Sequence, residues 1–416
     1  MKKIIFDMDG ALFQTEPVLL AALETVESEL GMPSVPKGKL NRHVGEPTDE
    51  LIRNLFPPET DRKACRHRFT EAVQQAALAE GELFPDVREM LGQLSEMGYE
   101  MYAASYAGIR YVTAVLEKTG IASFFAGSYC TAVPREKRAL IKKFSEPGEF
   151  ACIVGGTRLF YEITEPCRIP FLAASYGYIC KKDYSKATGT AALPQEVTAG
   201  IIRTEVFYTL TEELIRKRNS RVIGINSADT WGEPLFTERF SDYLKSEGFK
   251  TITIHLSDYP NPTELCHQGT DELEGYYFNS INYWKLIREV LDPLRDNGFI
   301  RTTVACLDLE TDTYTNYRRY TADRDTIVLI EGILLFRAPI LEYLDSRIFL
   351  DIDLTESLHR GLDREQQKFD LETLEKYTKL RIPLQKRYLT EHSPAENSNA
   401  VIDNSDADRP KITRLQ

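Results

Sequence analysis

Two carboxylates one residue apart stand near the start of this chain, Asp7 and Asp9 in Phe6-Asp7-Met8-Asp9-Gly10. They follow Lys2-Lys3-Ile4-Ile5. An apolar run of that length, closed by a glycine turn, reads as a buried parallel strand. Side chains alternate along a strand, so positions 7 and 9 fall on the same side and can face one site. In open α/β sheets the C-terminal strand edge is where ligands bind. Two like charges held this close are costly unless a cation sits between them. A carboxylate nucleophile beside a metal is one chemistry this spacing offers. The plainer alternative is a strand end with two solvated acids.

The elements around this pair are α/β in kind. Pro17 to Leu30 is periodic in Leu, Ala and Val, and Thr70 to Leu78 is Ala-rich. Gly31, Pro33, Pro36 and Pro57-Pro58 break these helices. Val87 to Met97 predicts a helix closed by Gly98, and Tyr99 to Ala104 a strand ending in Ser105, whose hydroxyl is either a ligand group or an ordinary helix N-cap. Lys137 opens a helix, and Ala151 to Val154 predicts the next strand. Thr188 to Ala199, rich in Ala, Thr, Pro and Gly, reads as loop, and Thr204 to Lys217 as a helix closing the first domain. Further buried strands are expected at Arg221 to Ile225, Thr251 to Leu256, Asp325 to Leu335, Ile348 to Asp353 and Ala400 to Asn404.

A length of 416 residues suits two or three domains. A net charge of −12 disfavours nucleic acid or an anionic membrane as the main partner. No apolar run approaches the roughly 18 residues of a membrane span. The N-terminus does not read as a signal peptide. Seven scattered cysteines without a CxxC pair suggest neither a disulfide framework nor a zinc site, and point to a reducing cytoplasm.

Phe6 to Glu16 (FDMDGALFQTE) resembles the first motif of haloacid dehalogenase-like phosphatases, in their phosphoglycolate phosphatase-like branch. The resemblance implies a Rossmann-like core with a helical cap, here about residues 15–82. It implies Asp7 as the nucleophile, Asp9 as the general acid and base, and Mg2+ against the phosphate. Ala11 stands where the family usually has Thr or Val. Ser105 and Lys137 match the family's phosphate-binding second and third motifs. The fourth motif is matched in place but not in chemistry, because Gly156 and Phe160 stand where the family has Mg2+-holding acids. Asp7 and the Asp9 backbone carbonyl would remain as ligands, with Glu162 and Glu165 as candidates to rebuild the site. Metal catalysis contributes several kcal/mol and each 1.36 kcal/mol is about tenfold in rate, so turnover is expected to be weakened by several orders of magnitude or lost.

The second half resembles uridine kinase-like P-loop proteins, diffusely but in order. After Arg221 to Ile225, Ser227 replaces the first loop Gly, Glu233 the Lys and Pro234 the Ser or Thr. At about 4 Å and an effective dielectric near 20 one charge pair is worth about 4 kcal/mol, so exchanging Lys for Glu opposes a polyphosphate. Ser257 falls at the catalytic acid with Asp258 beside it, Glu331 matches the acid near Mg2+, and Arg360 and Arg364 the phosphate-clasping lid.

The expectation is therefore an α/β chain in three parts. Residues 1–185 form a phosphatase-like domain, 186–218 a linker and helix, and 219–416 a uridine kinase-like domain. Its expected function is phosphomonoester hydrolysis on a small phosphorylated metabolite, weak or lost, beside a degenerate nucleoside kinase-like half. The alternative is a non-catalytic pseudoenzyme that binds a phosphorylated ligand or a partner. Mg2+ has a weakened site, and ATP is a doubtful ligand.

Overall fold

A computed structural model of the chain describes residues 2–416 except 33, 59, 131–138, 140, 142–143, 145–148, 228–232, 309–310 and 353–376, with residues 37, 233 and 377 described by backbone alone. Lys137, Arg360 and Arg364 lie outside the described residues. The chain divides into two units, Met1–Glu205 and Val206–Gln416.

The first unit is built on six parallel strands: β1 (Lys3–Asp7), β2 (Glu100–Ser105), β3 (Phe125–Cys130), β4 (Ala151–Gly155), β5 (Phe171–Ala174) and β6 (Gly189–Ala191). Their order is β3-β2-β1-β4-β5-β6. A parallel sheet is covered on both faces, so its central strand is apolar without alternation. Ile4, Ile5 and Phe6 accordingly are all fully buried. The order reverses at β1, which places the C-terminal ends of β1 and β4 at the switch point where such sheets hold ligands.

Between β1 and β2 the helices Thr15–Leu30, Thr48–Leu55 and Arg62–Glu80 bury a core of their own, with Leu23, Leu51, Ile52, Leu55 and Phe69 at its centre. Gly31 ends the first of them in the left-handed region (φ 66°), where a side chain would be strained. Asp61 caps the third by accepting the amides of Lys63 and Ala64 at 3.1 Å. That cap starts the helix eight residues before the Ala-rich stretch that signals it in sequence.

The second unit has a six-stranded sheet in the order β14-β13-β12-β7-β11-β8. Its strands are β7 (Val222–Ser227), β8 (Lys250–His255), β11 (Thr326–Glu331), β12 (Ser346–Asp351), β13 (Ala400–Asp403) and the antiparallel β14 (Lys411–Leu415). Alternate residues of one strand serve opposite cores. Val328 and Ile330 join one cluster, and Ile327 and Leu329 the other. A separate hairpin pairs β9 (Ile300–Asp308) with β10 (Thr313–Ala322).

The stretch expected as loop at 188–199 is ordered instead. Gly189–Ala191 pairs in parallel with Leu172–Ala174 as β6, and a helix runs over Pro194–Leu210. Proline fits a first helical turn, and Glu196 accepts the Ala192 amide at 2.7 Å just ahead of it. The helix continues as a π-helical segment, Thr211–Lys217. Val206, Phe207, Leu210 and Leu214 pack into the second unit's core, so this segment does not close the first domain. Among the described residues no helix is long and apolar enough to cross a membrane.

Candidate functional site

Strand β1 ends at Asp7, and the chain turns through Met8–Leu12. Asp9 keeps an extended backbone there (φ −79°, ψ 112°), and Gly10 takes φ 82°, which only glycine adopts without strain. Both acids are buried, Asp7 at 2% and Asp9 at 6% exposure. Burying a carboxylate is costly unless its oxygens are hydrogen-bonded. The Thr157 hydroxyl donates to Asp7 Oδ2 at 2.6 Å. Asp9 accepts from Thr15 at Oδ1 (2.8 Å) and from Ser105 at Oδ2 (2.7 Å). The Ser105 oxygen itself accepts the Ala107 amide at 3.0 Å. Ser105 thus stands beside the acids, and the structure shows its hydroxyl donating to Asp9.

Thr157 and Thr15 carry no spacing signature in the sequence. A threonine after a glycine pair or at a helix start is ordinary, and only the fold brings residue 157 to residue 7. Gly45 (φ 84°), in the cap, lies against Thr157. A Cβ at position 45 would be 2.8 Å from Thr157 Cγ2.

A cleft of about 480 Å3 opens on Asp9, with Thr15, Glu46, Arg110 and Tyr111 on its walls. Asp7 is not part of that wall. Glu46 is fixed in the cap by His43 Nδ1 and Asn54 Nδ2, each at 2.9 Å. Tyr111 is 7% exposed, and among the described residues its hydroxyl has no hydrogen-bond partner. Burial first, then the charge of Asp9, pushes its phenol well above the ordinary tyrosine range, so it stays a donor. Tyr111→Phe removes an unsatisfied buried hydroxyl without changing shape. It should leave the ligand-free melting temperature unchanged or raised, by up to about 1 kcal/mol of stability. A clear drop in thermal denaturation would show that the hydroxyl is bonded in solution.

Position 156, where the resemblance sets an acid, has no room for a side chain. A Cβ at Gly156 would lie 2.0 Å from the Gly10 carbonyl oxygen and 2.7 Å from the Ala11 nitrogen. A Cβ at Gly177 would also fall 2.0 Å from Gly10 O. Three backbones meet here, fastened by Tyr178 N to Gly156 O at 2.8 Å and by the Tyr176 hydroxyl to Ala11 O at 2.7 Å. Phe160, the other acid-less position, is fully buried in the apolar cluster around β4 and β5. Glu162 and Glu165 do not rebuild the set. They are half to two-fifths exposed and pair with Arg158 (2.8 Å) and Lys186 (3.0 Å). Among the described residues no three His, Cys, Asp or Glu side chains converge as a metal site. Asp7 and the Asp9 backbone carbonyl remain the candidate magnesium ligands, and among the described residues no further acid joins Asp7 and Asp9. The Asp9 carboxylate already accepts a hydroxyl at each oxygen, and backbone fills the place of a third acid.

In the second unit, Glu331 ends β11 and is 5% exposed, with Oε1 bonded to His255 Nδ1 at 2.5 Å. Asp258 is held by the Tyr320 hydroxyl and by Arg318 Nε at 3.2 Å. Ser257 and not Asp258 lines the neighbouring pocket, which also includes Pro234 and Glu331. Glu233 and Pro234 begin the helix Glu233–Ser246, where proline is tolerated.

Residues 4–146 match the family model for haloacid dehalogenase-like hydrolases. Among curated relatives, a phosphoglycolate phosphatase of Vibrio cholerae is 30% identical over 135 residues, which is 30% of this chain and 60% of that protein. The chain thus spans about three fifths of that relative's length. A phosphoglycolate phosphatase of Pseudomonas syringae pv. tomato is 27% identical over 191 residues, 42% of this chain and 70% of that one. Among solved structures, a haloacid dehalogenase-like hydrolase from Streptococcus pneumoniae aligns over 48% of this chain and 97% of its own, at 22% identity and a TM-score of 0.44. A possible uridine kinase from Bacillus stearothermophilus aligns over 48% and 96%, at 19% identity and a TM-score of 0.36. The N-terminal part of the chain is thus similar to haloacid dehalogenase-like hydrolases, phosphoglycolate phosphatases among them.

Proposed function

We propose that the first unit is a phosphomonoester site for a small phosphorylated metabolite, with Asp7 as the attacking carboxylate, Asp9 as the proton carrier, and turnover several orders of magnitude below that of an intact acid set. The observation that carries it is the pair of buried carboxylates at the end of β1, each tied by hydroxyls from a different element, with Asp9 opening on a cleft. In the balanced reaction an Asp7 oxygen bonds phosphorus as the P–O bond to the leaving alcohol breaks. That alcohol takes a proton from Asp9. Water then attacks the acyl-phosphate, loses its proton to Asp9, and releases inorganic phosphate and the free Asp7 carboxylate.

The slowness has two sources in this chain. Position 156 has no acid, and Asp7 is held by Thr157 behind the cap loop at Gly45. A second reading, ligand binding without turnover, draws support from that same closure. In the second unit we propose a uridine kinase-like P-loop domain whose phosphate site is degenerate at Ser227, Glu233 and Pro234 and which does not use ATP. Phosphate release from a panel of phosphomonoesters, with Mg2+, from the wild type and Asp7→Asn decides the first point. Release by the wild type alone supports hydrolysis. Equal signals refute it, and a ligand-induced rise in melting temperature without release supports binding alone.

A further inference from the structure

The cleft of about 480 Å3 that opens on Asp9 has more than one kind of wall. Its cap side carries a run of apolar groups. Leu19 comes from the helix Thr15–Leu30 and Leu51 from Thr48–Leu55. Phe69 and Val73, four residues apart, come from one face of Arg62–Glu80. Ile109, in the first turn of the helix Ile109–Lys118, adds an apolar side chain that is 53% exposed. A ligand with an apolar body removes this surface from water, and that favours binding. A cleft of this volume also holds far more than a two-carbon alcohol.

The charged residues on the wall are Asp9, Glu46 and Arg110. Glu46 is fixed by His43 and Asn54, and its side chain is only 18% exposed. Arg110, the one cation on the wall among the described residues, is exposed, and an ion pair made in water contributes little. Every phosphomonoester brings the same phosphate charge, so the choice among esters turns on what else the alcohol carries. A carboxylate on the alcohol would meet two acids held inside the cleft and one cation out in solvent. Like charges in a partly desolvated site repel, and an uncharged alcohol avoids that repulsion.

The Tyr111 phenol stands in the same cleft, stays protonated, and has no hydrogen-bond partner among the described residues. Buried polar atoms in native folds are nearly always paired, and an exception calls for a cause. An oxygen of a bound ester supplies one, because it accepts and the phenol donates. We propose that the cleft takes the phosphomonoester of an uncharged alcohol with an apolar body, that an oxygen of this ester accepts a hydrogen bond from Tyr111, and that an alcohol bearing a carboxylate is disfavoured. The proposal rests on the reading of the first unit as a phosphomonoester site, and names the substrate class of that site.

The test compares three esters on the full chain with Mg2+: benzyl phosphate, 4-carboxybenzyl phosphate and glycerol 1-phosphate. The second adds a carboxylate to the same ring, and the third is neutral without an apolar body. Each is followed as phosphate release by the wild type and as a rise in melting temperature of Asp7→Asn, which reads binding without turnover. Benzyl phosphate should exceed each of the others by about tenfold or more, in kcat/KM and in the concentration that gives half the melting shift. Tyr111→Phe should weaken benzyl phosphate by roughly 3–10-fold while leaving the ligand-free transition equal or higher. Glu46→Gln should narrow the gap between benzyl and 4-carboxybenzyl phosphate at least about threefold. Added salt, which screens the same repulsion without a substitution, should narrow it too. The inference is overturned if no ester shifts the transition, if either other ester matches benzyl phosphate, if Tyr111→Phe changes neither readout, or if neither Glu46→Gln nor salt narrows the gap. Release that Asp7→Asn leaves unchanged defeats the hydrolytic reading instead, and the order of the melting shifts still decides the cleft.

Discussion

Gly156→Asp should destabilise the first unit by more than about 3 kcal/mol and should not produce a magnesium-stimulated phosphatase. The substitution puts an acid back at the position where the related motif carries one, so on sequence grounds it looks like a repair. The backbone says otherwise. Any Cβ at 156 meets the Gly10 carbonyl oxygen at 2.0 Å and its carbon at 2.1 Å, and these are main-chain atoms that no rotamer change can move away. Gly10 cannot retreat easily. Its φ of 82° is set by the turn, its amide donates to Phe13 O at 3.2 Å, and Gly177 presses on it from another side. The turn would have to move as a body, taking Asp9 away from Ser105 and Thr15. For a unit of this size about 3 kcal/mol corresponds to roughly 6–12 °C in melting temperature, read by thermal denaturation with and without Mg2+. A Gly156→Asp protein that melts like the wild type and gains Mg2+-dependent phosphate release would show that the three-backbone contact relaxes at little cost.

This contact also shows where sequence reading stopped. The strands that carry the acids were legible because parallel strands covered on both faces are continuous apolar runs, as at Ile4–Phe6 and Val328–Ile330. Asp7 and Ser105 stood out because each ends such a run, and Asp9 because it follows Asp7 by two residues in the turn. Strand β6 was not, since three small residues bear no periodicity and owe their conformation to pairing with β5. Strand β10 was not, because most of its residues are exposed and no apolar face alternates along it. In the site, Thr157 is 150 positions from the acid it bonds, and the meeting of Gly10, Gly156 and Gly177 exists only once β1, β4 and the loop after β5 are side by side. That positions 156 and 160 carry no acid could be read from residue types. That backbone crowds position 156 could not.

The two units treat their buried polar groups differently. In the first, neighbouring backbone has closed over position 156, and threonine and serine hydroxyls hold the remaining acids. In the second, a pocket of about 500 Å3 lies beside Glu331, and among the described residues the Gln385 carboxamide on its wall has no hydrogen-bond partner. A buried polar group left unpaired costs about 1–3 kcal/mol.

Asp7→Asn should lower phosphate release from any phosphomonoester the protein turns over by at least about a thousandfold, to the solution blank, with little change in melting temperature. The amide keeps the shape of the carboxylate, and its oxygen can still accept the Thr157 hydroxyl, so the buried contact at 2.6 Å survives. What is lost is the charge and lone pair that attack phosphorus. The pairing of the two readouts matters, because Asp7 is 2% exposed and a disruptive change there would unfold the unit and mimic a catalytic loss. Thr157→Val separates the roles from the other side. It frees the Asp7 oxygen from its hydroxyl donor, so release should rise if that bond restrains the nucleophile. It should instead fall along with stability if the bond is what keeps a buried carboxylate in place. Activity that persists in Asp7→Asn at wild-type level, in protein that melts normally, would remove Asp7 from the reaction and with it the covalent route proposed for this site.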